Sequence, residues 1–204
     1  MTTKLLLAGA LIALLALPAA AQNPPEGTPT RIRGSVEKLD GQTLTVKSRE
    51  GAQLTIALAP NFTVSAVVKR SLGDIKAGDF VGAASTKGTD GKLHALEVLI
   101  FPEAMRGTGE GERPWDLTPD SLMTNATVSG ITGAPQGQAL KVTYKGGESE
   151  IIVAPNTPIV TFAPGDASLL KPGAAIITAA TKKPDGTLSA SRVTAEKDGV
   201  RPPM

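Results

Sequence analysis

The chain has 204 residues, 21 of them Lys or Arg and 19 Asp or Glu, so its formal net charge is only +2. Charges of both signs are interspersed, which is not the electrostatic footprint of a protein that binds nucleic acid or an anionic membrane surface. The chain has no Cys and a single His, which excludes disulfides, thiolate catalysis and the common zinc sites.

Residues 1–21 have the pattern of a secretory signal peptide. Lys4 gives a positive start, Leu5–Leu17 is apolar, and small residues stand before a cleavage site at Gln22. The apolar run is shorter than the roughly 20 residues that a spanning helix needs, and no later run approaches that length. We therefore expect a periplasmic protein without a stable membrane span after cleavage, and a disordered segment at 22–30.

Residues 31–101 are predicted to form a first β-module. Apolar and polar residues alternate from Ile32 to Val36, which is the period of a half-buried strand. Asp40-Gly41 is typical of a tight hairpin turn, since both central positions of such a turn need positive φ. Pro60-Asn61 is expected to end the third strand, and a last strand is predicted from Lys92 to Phe101.

Residues 102–125 differ in composition and are predicted to be an irregular linker. They are rich in Gly, Pro and acidic residues and contain the only Trp of the chain, Trp115. We expect Trp115 to dock the linker onto a barrel, with Arg113 and Asp116 at the rim, because a Trp can bury a large apolar area. The alternative is an exposed anchor for a partner or ligand.

Residues 126–195 are predicted to form a second β-module, followed by a disordered tail at 196–204. This module repeats the first with a shift of 95 positions, and no gap is needed over most of its length. The matched positions are Ala59-Pro60-Asn61 with Ala154-Pro155-Asn156, Asp90-Gly91 with Asp185-Gly186, and Leu93, Ala95 and Val98 with Leu188, Ala190 and Val193. Chance rarely aligns turn-forming residues, so we interpret the pattern as a tandem duplication.

The fold class expected from these elements is all-β. Short strands separated by Gly-rich turns favour two tandem small OB-like barrels joined by the irregular linker, and SH3-like barrels are the alternative. Closed barrels hide the strand edges that an open sheet would offer to other chains.

The candidate chemical groups are few. His94 is the only His, its repeat counterpart is Ser189, and acid–base or metal chemistry needs positioned partners. The linker carboxylates could bind a hard cation, although Arg106 and Arg113 neutralise them; these carboxylates are Glu103, Glu110, Glu112, Asp116 and Asp120. We predict no catalytic residue, cofactor or metal, and a non-enzymatic binding or interaction module. An envelope accessory that handles a solute or metal through the linker is the alternative.

Several segments resemble a known family. They are Gly34-Ser35-Val36, Gly41 to Val46, Ile75 to Val81 and Gly91 to Ala95, which resemble exported bacterial domains of unknown function built as small OB-like barrels. The middle segment, Arg106 to Asp116 with Met123-Thr124-Asn125-Ala126, looks like alphaproteobacterial proteins that often carry the label "metal ABC transporter permease". A permease is not expected, because no spanning segment follows the signal. The partner expected for the predicted binding module is an unidentified envelope protein or small ligand.

Overall fold

The computed structural model describes residues 27–135 and 137–202, and within them the chain is all-β. The predicted signal peptide lies outside the described residues. The strands are β1 Thr28–Asp40, β2 Thr43–Ser48, β3 Gln53–Arg70, β4 Phe80–Lys87, β5 Leu93–Ile100, β6 Gly111–Pro114, β7 Leu122–Ala134, β8 Gly137–Tyr144, β9 Gly147–Val153, β10 Ile159–Gly165, β11 Ala175–Lys182 and β12 Leu188–Ala195. Short 3-10 turns lie at Leu72–Asp74, Glu103–Met105 and Ala167–Leu169. Over this part of the chain, no helix is long and apolar enough to cross a membrane.

Five strands close into a barrel, called the first barrel. β1 pairs antiparallel with β2 and β11, β2 pairs antiparallel with β3, and β12 closes the ring by pairing antiparallel with β11 and parallel with β3. The alternation predicted for β1 places Ile32 and Val36 inside, where they pack with Leu44, Ile56 and Ile176.

A second set of five strands, called the second circuit, is paired in the same manner. β4 pairs antiparallel with β5 and β7, and β8 pairs antiparallel with β7 and β9. β9 meets β5 in parallel, with Leu93 opposite Ile151 and His94 opposite Ile152. A separate apolar core fills this circuit, and its fully buried members include Val81, Val98, Leu140 and Val142.

Both sets combine strands from the two halves of the chain. The first barrel joins β1, β2 and β3 to β11 and β12, whereas the second circuit joins β4 and β5 to β7, β8 and β9. The long strand β3 links the two sets, because its second half stays paired with β12 as far as Ala66 and also pairs antiparallel with β10, Val67 lying opposite Phe162. The prediction of two tandem barrels, one from each module, is therefore not confirmed.

Several predicted boundaries differ from the structure. β3 continues through Pro60, since Pro60 lies between the stretch that pairs with β2 and the stretch that pairs with β10, where no ladder bond needs its missing N–H. β1 begins at Thr28, inside the segment predicted to be disordered, because it pairs with Lys182. The predicted irregular linker contains β6 and the start of β7. In the predicted tail, Lys197 and Val200 form a bridge.

Candidate functional site: a cavity beside Trp115

Strand β4 forms the floor of a cavity on the outer face of the second circuit. The strand is buried along most of its length, and Val81 and Ala83 point into the apolar core. Gly82 and Ala84 therefore point to the other face, because successive residues of a strand alternate. Ala84 leaves space above the floor that a larger side chain would fill, whereas at Gly82 an added Cβ would lie only 2.8 Å from the Asn125 Oδ1 and 3.0 Å from the Phe101 ring.

Neighbouring strands place polar and apolar groups around this floor in two rows. In one row, Gly82 lies between Leu99 of β5 and Asn125 of β7. In the other row, Ala84 lies between Glu97 of β5 and Met123 of β7, and Met123 pairs in turn with Arg113 of β6. Residues directly opposite each other share a face of the sheet, so all of these side chains belong to the cavity side.

The opposite wall comes from the first barrel and from the linker. Ile177 and Ala179 of β11 line the cavity and lie opposite Arg33 and Arg31 of β1. Trp115 is half-buried against this wall, and the guanidinium carbon of Arg31 lies 3.8 Å from the centre of its ring. The cavity thus lies between the first barrel and the second circuit, and the linker covers it.

The cavity has a volume of about 300 Å³ and a mainly apolar lining. Its lining consists of Gly82, Ala84, Glu97, Leu99, Phe101, Met105, Thr108, Arg113, Trp115, Met123, Asn125, Phe162, Ile177 and Ala179. The rings of Phe101 and Phe162 meet edge to face, with centroids 6.3 Å apart. Five of the fourteen lining residues thus carry aromatic or thioether side chains, and only a few polar groups interrupt the apolar lining.

Glu97 reaches the cavity because of a β-bulge in β5. Ala84 pairs with Glu97 but the next residue, Ser85, pairs with Ala95, so Leu96 is an extra residue on β5. An extra residue reverses the alternation of the strand and re-aims the side chains beyond it. Burial raises the pKa of the Glu97 carboxyl to about 7, against the opposing effect of the Arg33 charge. Its Oε1 atom is buried and has no hydrogen-bond partner among the described residues.

Two further lining residues have a buried polar atom without a hydrogen bond in the described part of the chain: the Nε1 of Trp115 and the Oδ1 of Asn125. The Asn125 side chain is almost fully buried, and its Nδ2 donates to the carbonyl oxygen of Thr108 at 2.8 Å. Buried polar atoms are nearly always paired in native proteins, so an unpaired one needs an explanation. One donor and two acceptors, counting Glu97, thus belong to residues that line the same cavity.

Asp116 holds the Trp115 segment against strand β1. Its Oδ1 accepts a hydrogen bond from Arg31 at 2.8 Å, and its Oδ2 accepts one from the buried Arg33 at 2.6 Å. Burial of Asp116 works against its ionisation, but the hydrogen bond from Arg33 and the charges of Arg33 and Arg31 outweigh it, and the pKa is lowered. Arg49 also donates to the backbone oxygen of Asp116 at 3.1 Å.

Arg113 lies at the other side of the Trp115 ring. Its guanidinium carbon is 5.6 Å from the ring centre, and its Nη1 donates to the carbonyl oxygen of Gly109 at 2.7 Å. Partial burial, together with the charge of Arg31, lowers the pKa of Arg113 from its usual high value. The three predicted docking residues, Arg113, Trp115 and Asp116, thus all lie at the junction of β6 and β1.

The other linker carboxylates are directed to separate partners. Glu103 pairs with Arg106 at 2.6 Å, and Glu110 accepts from the backbone N–H of Lys145 at 3.0 Å. Glu112 accepts from Thr124 and Ser149, at 3.1 Å each. Throughout residues 27–135 and 137–202, no three His, Asp or Glu side chains converge as a metal site would require. His94 is half-exposed and contacts Asp90, with 3.0 Å between Nε2 and either carboxylate oxygen.

Sequence reasoning missed Glu97 and Asn125. For Glu97 a signal existed, since it is the one acid in a run of otherwise apolar residues from Leu93 to Phe101, apart from His94. For Asn125 no local signal existed, because a single amide in a Thr-rich segment is typical of an exposed strand. Comparison with protein-family models, curated proteins and solved structures found no significant match to this chain. The geometry of the cavity is therefore the basis for a functional assignment.

Proposed function

We propose that the protein is a non-enzymatic binding module that holds a small, mainly apolar ligand in the cavity beside Trp115. The observation that carries this proposal is a mainly apolar cavity of about 300 Å³ whose lining includes three polar side chains, Glu97, Asn125 and Trp115, each with a buried atom that has no hydrogen-bond partner among the described residues. Binding sites for small molecules are typically concave and apolar, with a few convergent polar groups that orient the ligand.

The sequence and the strand pairing support a location and a fold type for this protein. The signal-peptide pattern of residues 1–21 supports export to the periplasm. The strand pairing supports an OB-like architecture with exchanged strands. In the first barrel the strand order is β1-β2-β3-β12-β11. The pair β3 and β12 is parallel, and β11 closes the barrel by pairing with β1. The family resemblance agrees with this interpretation but remains a prediction.

The alternative, a cation-handling accessory that uses the linker, has weaker support. The linker carboxylates pair with separate arginine, hydroxyl and backbone groups and do not point toward a common position. A hard cation needs several oxygen ligands at once. No observation on the described residues favours that function over the cavity.

A substitution at the cavity wall tests the proposed function. Ala179 lines the cavity and is exposed, so Ala179→Trp is expected to fill the space without disturbing either core. Ala57→Trp, at an exposed position of β3 away from the cavity, is the matched control. A screen of small aromatic compounds, followed by the NMR signal of the Trp115 indole N–H, should find ligands for the parent chain and the control. Equal binding by Ala179→Trp would contradict the assignment.

A further inference from the structure

The cavity lining contains two charged residues, Glu97 and Arg113, and they lie at opposite ends of its floor. In the row that crosses the floor, Ala84 and Met123 lie between them. Neighbouring strands are about 4.8 Å apart, so the backbones of Glu97 and Arg113 are separated by roughly 14 Å. A ligand in the cavity therefore meets an acid at one end, a base at the other and an apolar surface between.

Arg113 has accessible hydrogen-bond donors. The one hydrogen bond that its side chain makes within the described residues runs from Nη1 to the carbonyl oxygen of Gly109. Its Nε and Nη2 have no partner there and are not among the buried unpaired atoms, so their N–H groups remain accessible. A guanidinium binds carboxylate and phosphate oxygens through paired hydrogen bonds. Arg113 can therefore bind an anionic group presented to it from the cavity.

The positive charge at this end of the floor is only partly neutralised. Burial and the charge of Arg31 both lower the pKa of Arg113, and no carboxylate opposes them. Asp116 is shared between Arg31 and Arg33, which use both of its carboxylate oxygens. Like charges held near each other repel, most strongly where water is excluded, and a bound anion would relieve this repulsion.

A depression next to the cavity extends the positive surface. It shares the wall residues Ile177 and Ala179 with the cavity, and Arg31 and Arg192 also line it. Arg31 lies directly opposite Ala179 in the neighbouring strand, so the two side chains share a face of the sheet. Arg31, Arg113 and Arg192 therefore all line the cavity or the depression beside it, where they would attract anions and repel cations.

The opposite end of the floor suits an apolar group. Burial raises the pKa of the Glu97 carboxyl to about 7, against the charge of Arg33, so at neutral pH this group carries less than a full negative charge. Leu99 and Met123 lie beside it in the lining. An ion placed here would lose its hydration without gaining a partner of opposite charge. An anionic ligand is therefore oriented with its charge at Arg113 and its apolar part toward Glu97.

We infer that the ligand of the cavity is an amphiphilic anion, with an acidic head group bound by Arg113 near Trp115 and an apolar body that lies along the floor toward Glu97. This inference rests on the proposed function and adds the chemical class of the ligand. The volume of about 300 Å³ restricts the ligand to a small molecule, since it lies at the lower end of the usual range for such sites.

Compounds that share an octyl chain and differ in head group test the ligand class: octanoate, octyl phosphate, 1-octanol and octylammonium. The chain is flexible, so it can follow the cavity walls whatever their detailed shape, and acetate supplies a head group without a body. Each compound is titrated into the full chain at neutral pH, and binding is measured by calorimetry and by the Trp115 indole N–H signal. We expect the tighter of the two anions to bind at least about 10-fold more tightly than 1-octanol, the lower end of what hydrogen bonds to a charged group contribute. Octylammonium should bind most weakly, and the comparison of octanoate with octyl phosphate identifies the head group.

Substitution of Arg113 tests the residue on which the inference depends. Arg113→Gln removes the cation and keeps a polar side chain, so the anions should lose their advantage over 1-octanol, whereas Arg113→Lys should keep part of it. Arg70→Gln is the matched control, since Arg70 is an exposed arginine of β3 outside the cavity lining. An unchanged preference for anions in a folded Arg113→Gln would contradict the inference, and the compound series on the parent chain decides independently of how that variant folds.

The outcomes separate the two proposals. Binding of 1-octanol or octylammonium as tight as that of the anions, if Ala179→Trp abolishes it, would overturn the ligand class and leave the cavity as a binding site. Acetate that binds as tightly as octanoate would show that the apolar body is not recognised, which also overturns the ligand class. Absence of binding by all compounds, or binding that persists unchanged in Ala179→Trp, would overturn the cavity itself and the ligand class with it.

Discussion

At the scale of single residues, the cavity is unusual because it keeps an acid in an apolar setting. Glu97 lies among Leu99, Met123 and the phenylalanines, with one carboxylate oxygen buried. Its pKa of about 7 lies above the ordinary value of 4.5 because burial disfavours the ionised form. The folded protein therefore binds more protons than the unfolded chain between these two pH values, and this group makes stability fall as pH rises through that window.

Replacement of this acid should remove that dependence. Glu97→Gln cannot ionise, so we expect its free energy of unfolding at pH 8 to exceed that of the parent chain by at most about 3 kcal/mol. At pH 4.5 the two proteins should be similar. Urea unfolding at both pH values measures the difference. The exposed Glu148→Gln should change stability by less than about 0.5 kcal/mol at either pH, and a matching gain there would point to a general charge effect instead.

The Trp115 ring is partly buried, and the neighbouring Asp116 forms salt bridges beside it. Its ring is half-buried under Arg31, and Asp116 bonds Arg31 and Arg33 on the neighbouring strand. We therefore expect the linker to be anchored at this point.

Truncation of the ring tests that anchor. Trp115→Ala should cost about 2 kcal/mol, less than a fully buried aromatic would, whereas Trp115→Phe should cost less because it keeps most of the packing. Chemical denaturation measures both variants. The parent chain offers a direct check, since Trp115 is its only Trp: native emission should be blue-shifted and should move to longer wavelength on unfolding. Native emission at the fully hydrated wavelength would mean that the ring is not docked.

At the scale of elements, close approach of strands shapes the first barrel. β1 pairs with β11 over Thr28–Ser35 and with β2 over Gly34–Asp40, so both partners meet it at Gly34 and Ser35. A Cβ at Gly34 would overlap the carbonyl oxygen of Lys47 in β2. Only glycine permits this approach, because the obstacle is backbone and cannot rotate away.

Gly34→Ala should therefore be strongly destabilising, by about 3 kcal/mol, the upper end of the usual cost of overpacking. Gly133→Ala is the matched control, since Gly133 also lies in a strand, β7, and has no atom within 4 Å of an added Cβ. Thermal unfolding of the two variants gives the comparison. A Gly34→Ala protein as stable as the control would show that β1 and β2 lie further apart than described here.

At the scale of the whole molecule, neither half of the chain holds a complete ring of strands. Residues 27–101 supply β1 to β5, and the first barrel needs β11 and β12 as well. The repeated sequence pattern provides strands that could replace β11 and β12, since β4 and β5 match them at a shift of 95 positions. A half-chain that keeps the pairing of the intact protein could complete its barrel only with a second copy or with the other half; the alternative is that its own β4 and β5 take the places of β11 and β12.

Fragment mixing tests this arrangement. We expect residues 27–101 alone to self-associate rather than fold as a monomer, because in the intact chain β4 and β5 pair outside the first barrel and leave the edges of β1 and β3 without partners in this fragment. Adding residues 102–202 should restore a 1:1 complex with the circular dichroism and unfolding profile of the intact chain. Size-exclusion chromatography with light scattering separates these species. A monomeric 27–101 fragment that unfolds cooperatively would argue for an independent barrel in that half.

The local features of this protein are determined by its sequence alone. The alternation around Ile32 and Val36 identified a strand with a buried face, and Asp40-Gly41 lies at the turn between β1 and β2. Such signals depend on neighbours along the chain. All-β structure with barrel closure could therefore be predicted before any coordinates were known.

Only the tertiary structure decided which strands pair and where the cavity lies. Val81 of β4 and Ile176 of β11 hold matching positions in the two halves and lie in different cores, and strands with the same apolar pattern can exchange partners without altering any local signal. Leu93, Ala95 and Glu97 follow each other at intervals of two residues, so a regular strand would place all three on one face. The extra residue Leu96 turns Glu97 to the opposite face. A bulge and a partner exchange both depend on contacts between residues far apart in the chain, and a periodic pattern contains no information about such contacts.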